Sequence, residues 1–209
     1  MAPQSDIQTE LQRKATELLE SQKANVIIGY GLLETGNVGA VFVTCPKQTC
    51  RLVWNERCTD NLTVYLARKE IKKRGKAGIV VKGCDAKALA ILESENQIDR
   101  DNLTIIGIAC SGVQIQGKPQ NKCLSCDVQN PPHCDIVIGK EVSTEPQASR
   151  YAKLAQIEAM QAEQRFEYWK KELARCIKCY ACRQNCPLCY CNVCVADKNQ
   201  PTRIDIGNA

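Results

Sequence analysis

The sequence predicts the α/β class: a domain built on an open, mostly parallel sheet, followed by a helix and a small cysteine-rich segment. Between residues 25 and 140, short β-branched runs ending in glycine alternate with stretches of helical periodicity. Strands joined by crossover helices require that arrangement. Hydrophobic residues make up 44% of the 209-residue chain, enough to cover such a sheet in one core. Seven of the fifteen cysteines fall between Cys176 and Cys194, which sets that stretch apart from the domain before it.

The N-terminal helix lies within residues 1–24, with Ile7, Leu11, Ala15, Leu18 and Leu19 on one face. The α/β domain, residues 25–140, opens with "NVIIGYG" and "VGAVFVTCP", two strands joined by a glycine-containing turn. "NLTVYLARKEIKKR" reads as a helix, "AGIVVKG" as a strand, "DAKALAILESE" as a helix capped by Asp85, and "NLTIIGIAC" as a buried strand. After Cys110 the chain is loop-like, passes Pro131 and Pro132, and closes with the apolar "IVIG". The polar "KEVSTEPQASR" leads into a long helix over 151–175, so residues 141–175 form a linker and helix. Ala155, Ala159, Ala162, Phe166, Trp169 and Leu173 make one stripe of that helix. It delivers the chain to residues 176–209.

The N-terminus lacks a basic start and an apolar core, so the expectation is a cytoplasmic protein whose thiols stay reduced. In that setting fifteen cysteines, an odd number, point to ligation more than to a disulfide framework. Cys176-x-x-Cys179-x-x-Cys182-x-x-x-Cys186-Pro187 matches the spacing of a bacterial ferredoxin run. The close spacing brings three thiolates to one cubane, and the fourth commonly serves a neighbouring cluster. A structural zinc ion asks instead for four ligands in two separated pairs. The final segment is therefore expected to be ferredoxin-like, with 4Fe–4S clusters as cofactors. One assignment gives Cys176, Cys179 and Cys182 to one cluster and Cys186, Cys189, Cys191 and Cys194 to a second. The first is then one thiolate short, to be supplied from elsewhere in this chain or from a partner.

Upstream, Cys84 and Cys110 follow directly on predicted strands, where open α/β sheets gather their chemistry. With Cys123-x-x-Cys126 they make a plausible four-ligand set. Cys58 and Cys134 compete for a place in it, whereas nothing around Cys45 or Cys50 resembles a ligand motif. Each of these cysteines also has the plain reading of a small buried hydrophobe. The count of clusters is thus one to three, with two favoured as a minimum.

Other signals exclude more than they propose. With His133 as its one histidine and no G-x-S-x-G, the chain lacks the parts of a hydrolytic triad. The glycines at 29, 31, 36 and 39 do not form a G-x-G-x-x-G run and read as turn chemistry. A net charge of +5 with interspersed signs demands neither nucleic acid nor a lipid surface, and no apolar run is long enough for membrane insertion. The basic run "ARKEIKKRGK" reads as a solvated face. Lys170, Lys171, Arg175, Lys178 and Arg183 lie near the C-terminal cysteines and suit an acidic electron-transfer partner.

Together, "VVKGCDAKAL", "IIGIACSGV", "CLSCDVQNP" and "RCIKCYACRQNCPLCYC" resemble the coenzyme F420 hydrogenase/dehydrogenase β-subunit family. The likeness is to the formate-dehydrogenase-type branch found with heterodisulfide-reductase-like complexes of anaerobes. It covers roughly residues 25–200. The resemblance implies a soluble subunit that passes electrons between a flavin or deazaflavin site and the iron–sulfur clusters of a larger complex. Many members carry FAD, and a 4Fe–4S cluster in the α/β domain. Longer relatives continue into a second cysteine run, so this chain is expected to be a short or split member completed by other subunits. Three functional readings follow: an electron-transfer subunit, a flavin-containing β subunit acting on a deazaflavin or nicotinamide coenzyme, and a zinc-stabilised binding module.

Overall fold

The computed structural model describes residues 4–143 and 151–191. Its centre is a five-stranded sheet formed by β1 (Val26–Leu32), β2 (Val38–Val43), β3 (Ala77–Val81), β4 (Leu103–Ile108) and β7 (Ile136–Ile138). The spatial order is β2-β1-β3-β4-β7. β1, β3, β4 and β7 run parallel, and β2 is antiparallel to β1. This is the mostly parallel α/β sheet expected, with one antiparallel edge. β3 is buried at every position, as a central parallel strand covered on both faces must be. β2 instead alternates between buried and more exposed positions, as an edge strand does. Gly36, at φ +77°, makes the turn between β1 and β2, and its N–H donates to the Leu33 carbonyl at 2.9 Å.

Helix α1 (Gln4–Glu20) lies on the sheet by the apolar stripe seen in the sequence, with Leu11, Ala15, Leu18 and Leu19 buried. Gly78 of β3 leaves room for the Ile27 side chain of β1 beneath that helix. A Cβ there would stand 2.6 Å from Ile27 Cδ1 and 3.7 Å from Leu18 Cδ1. Helix α3 (Gly83–Ser94) links β3 to β4 and buries Ala86, Ala88, Leu89 and Leu92.

Three expectations are corrected. The single helix over 61–74 is a 3-10 turn at Leu62–Tyr65 followed by the short α2 (Lys69–Lys72). Asn61 Oδ1 accepts from Thr63 N–H at 3.1 Å and from its hydroxyl at 2.6 Å, a local bond that competes with a continuous helix. Asp85 is not the N-cap of α3 but its third residue, and it accepts the Lys82 backbone N–H at 2.9 Å. The long helix over 151–175 is two helices, α5 (Ala152–Glu158) and α6 (Ala162–Leu173). Gln161 between them is extended at ψ 161°, and its N–H is taken by the Gln164 side chain at 2.9 Å. That capping starts a fresh helix and ends the old one. Among the described residues, no helix is long and apolar enough to cross a membrane.

Candidate functional site

Parallel strands bring their carboxyl ends to one edge of the sheet, and there the chain collects four cysteines. β3 passes straight into α3, which puts Cys84 in that helix's first turn. Cys110 stands two residues beyond the end of β4, and its N–H donates to the Gln129 carbonyl at 2.9 Å. The third piece is the connection from β4 to β7. It folds as a small hairpin, β5 (Gln114–Ile115) and β6 (Lys118–Pro119), around Gln116 and Gly117, both at positive φ. The hairpin turns the chain back into α4 (Asn121–Leu124), bringing Cys123 and Cys126 toward the strand ends. Cys123 Sγ accepts the Val113 N–H at 3.4 Å. Cys84, Cys110, Cys123 and Cys126 thus line one cleft of about 30 Å³, together with Lys82 and Gln129.

The cleft depends on an absent side chain. A Cβ on Gly83 would fall 1.7 Å from the Val128 carbonyl oxygen and 2.6 Å from its carbon. Both are backbone atoms, so Gly83→Ala has to push the Cys126–Gln129 loop off the start of α3. Overpacking of this kind costs about 1–3 kcal/mol. The expected result is a lower melting temperature together with loss of any group held jointly by Cys84 and Cys126. A variant that melts lower but loads normally would show that the two segments need not touch.

Burial dominates the electrostatics of the thiols. It pushes Cys84 up to about 11 and also raises Cys110. The Lys82 ammonium opposes that rise at both. Lys82 is itself buried, against Asp85 at 3.0 Å, the Asp60 carbonyl at 2.8 Å and the Tyr30 hydroxyl. Ligation requires thiolates, so these raised thiols would have to release protons to bind a metal. Cys58 is likewise pushed to about 11 by burial. The sign for the empty protein follows. An unfolded thiol ionises near 9.0, and Cys58 and Cys84 resist ionisation in the fold until about 11. Their contribution is therefore intact below pH 9 and is lost as pH rises from 9 to 11. Melting temperature measured against pH is expected to bend downward across that window, and a flat profile would contradict it.

The other cysteines are placed differently. Cys58 is fully buried in the core and accepts the Asn55 N–H at 3.4 Å. Cys134 packs against β4, where a Cβ on Gly107 would meet its sulfur at 2.3 Å, and its Sγ donates to the Pro131 carbonyl at 3.4 Å. Neither lines the four-cysteine cleft. Cys50 is exposed, and His133 occupies a loop at φ +57°.

In the C-terminal segment Cys176, Cys179, Cys182, Cys189 and Cys191 are exposed and Cys186 is half-buried. Cys182 lies in α7 (Ala181–Asn185), which is entered through the left-handed residues Lys178 and Tyr180. The Cys186 N–H donates to the Cys182 carbonyl at 3.0 Å, and the Cys189 N–H to the Cys186 carbonyl at 3.1 Å. Tyr190 donates to Glu95 at 2.7 Å, just past the last residue of α3. Cys84, in the first turn of α3, is at the other end of that helix. Cys194 lies outside the described residues. Among the described residues, no three histidine, cysteine, aspartate or glutamate side chains stand close enough to hold one metal ion. The four cysteines of the cleft share a lining, not a coordination sphere.

Lys82 and Tyr30 escaped sequence reading. One signal was available: a lysine directly after an all-apolar strand, with an aspartate three residues on. A second cleft, of about 280 Å³, adjoins the first at the ends of β4 and β7. Cys110, Ser111, Gly112 and Val113 are common to both, and Trp54, Lys140 and Glu141 line the farther side.

No protein-family model matches the chain. Among curated proteins it is similar to the F420-dependent formate dehydrogenase subunit beta of Methanocaldococcus jannaschii. The two are 24% identical over an alignment of 228 positions, which covers 65% of this chain. The chain spans 58% of the length of that relative. The relative's name describes a subunit of a redox enzyme.

Proposed function

We propose that the chain is an iron–sulfur electron-transfer subunit of a larger redox complex, with Cys84, Cys110, Cys123 and Cys126 as ligands of a 4Fe–4S cluster. The observation that carries this reading is the convergence of four thiols from three separate segments on one cleft at the strand carboxyl ends. The donor chemistry fits: the cleft lining contains no carboxylate and no imidazole, and four thiolates are the usual cubane set. A cubane is larger than this cleft of about 30 Å³, so seating one would require the lining segments to part. When bound, such a cluster accepts and returns single electrons. The chain's own part is to hold the thiols, exclude water and set the charge around them.

The C-terminal run supports further clusters by its spacing, with Cys176, Cys179, Cys182, Cys186, Cys189, Cys191 and Cys194 as ligands. Its surroundings suit a partner subunit. Phe166, Trp169, Leu173 and Ile177 are 67%, 50%, 66% and 84% exposed, a run of large apolar side chains leading into the first cysteine of the segment. Lys170, Lys171, Arg175 and Lys178 flank it, suited to a partner with acidic side chains around an apolar surface.

A second reading, a flavin-containing subunit acting on a deazaflavin or nicotinamide coenzyme, is favoured by the 280 Å³ cleft behind Cys110. Anaerobic purification tests both. Broad absorbance that bleaches on reduction, with iron and acid-labile sulfide in equal amounts, is expected for the first reading. Resolved flavin bands in addition would establish the second, while a colourless zinc protein would overturn both.

A further inference from the structure

The floor of the cysteine cleft holds an unusual feature, a lysine with almost no exposure. The Lys82 side chain is 1% exposed and that of its partner Asp85 0%. A buried ion pair is costly to desolvate, and well-packed apolar residues in its place are commonly as stable or more so. A role in stability therefore does not explain it. Its fixings are complete: the ammonium reaches Asp85 Oδ2 at 3.0 Å, the Asp60 carbonyl at 2.8 Å and the Tyr30 hydroxyl. It also lies 4.5 Å from the centroid of the Tyr30 ring. Asp85 is held in turn by the Lys82 backbone N–H at 2.9 Å, and its other oxygen faces Cys84 Sγ at 3.7 Å.

Lys82 and Cys84 line the same cleft from positions two residues apart on the strand-to-helix turn. Four thiolates around a cubane leave the site with net negative charge, and reduction adds one more. In a water-poor cleft that charge is poorly compensated by solvent. Of the two lysines lining the cleft, Lys122 is exposed and donates to the Thr59 carbonyl at 2.6 Å. Lys82 is the cation that burial and three polar partners hold in place.

We propose that Lys82, held by Asp85, Asp60 and Tyr30, is a positioning residue that sets the reduction potential of a cluster in the adjacent four-cysteine cleft. The inference rests on the reading of that cleft as a cluster site. A fixed positive charge favours the reduced, more negative state, and the Asp85 carboxylate opposes it. The two residues therefore pull the potential in opposite directions, although structurally they form one unit.

That opposition supplies the test. The reconstituted full-length protein is poised at a series of potentials, and the reduced cluster is followed by electron paramagnetic resonance. Lys82→Met is expected to disfavour reduction by about tenfold or more, a fall of about 59 mV for one electron. Asp85→Asn is expected to move it the other way, and Lys82→Arg to stay near wild type. Asp85→Asn keeps an acceptor for the Lys82 N–H, so it carries the sign test alone if Lys82→Met does not fold. Damage to the site's packing would shift both variants in the same direction. Shifts of one sign, or none, in a protein that carries a cluster overturn this inference and leave the site reading standing. A wild-type chain that takes up no iron and sulfide overturns both.

Discussion

Replacing Cys110 with serine is expected to remove about four iron and four sulfide ions per chain and to leave any spectroscopic signal of the Cys176–Cys194 run in place. The expectation follows from where the sulfur sits. Cys110 is held by its own backbone bond to the Gln129 carbonyl at 2.9 Å, which fixes where its side chain enters the cleft. Cys58, buried in the core but absent from the cleft lining, is the control. Cys58→Ser buries a hydroxyl at a cost of about 1–3 kcal/mol and should lower stability while leaving the iron content unchanged. Cys134→Ser should likewise spare the iron. If Cys58→Ser loses as much iron as Cys110→Ser, the ligand set is drawn wrongly.

The second large effect concerns folding. Lys82→Met leaves the Asp85 carboxylate buried without its partner, and breaking such a pair costs about 3–5 kcal/mol. For a chain of this size that is a drop of roughly 6–20 °C in melting temperature. Lys82→Met combined with Asp85→Leu removes both charges and should be less damaging than Lys82→Met alone. Thermal denaturation of the empty protein measures the non-additivity directly. A double variant as unstable as the sum of the singles would show that the two side chains do not act as a pair.

The sheet was legible because parallel strands write themselves plainly. "VIIGYG", "AGIVV" and "LTIIGI" are apolar and β-branched, and each became a buried strand. The placement of Cys84 and Cys110 followed from the same rule, since parallel strands must end at one edge. The bend that brings Cys123 and Cys126 to them was not legible. It depends on a two-residue turn at Gln116–Gly117 and on Gly83 clearing the Val128 backbone. The helix over 61–74 failed because propensity says nothing of the Asn61 side chain capturing Thr63. The long helix over 151–175 failed for a related reason, with Gln164 reaching back to cap at Gln161. Lys82 was hidden by its type, since a lysine in a turn is ordinarily solvated and only the fold shows this one enclosed.

The central claim is that the sheet-edge cleft binds a cluster independently of the C-terminal run. Its most direct test is the full-length chain with Cys176, Cys179, Cys182, Cys186, Cys189, Cys191 and Cys194 all changed to serine. After anaerobic reconstitution, iron and acid-labile sulfide are counted per chain. About four of each are expected, bleaching together on reduction. A folded protein with neither, or with a single metal ion and no sulfide, would contradict the account.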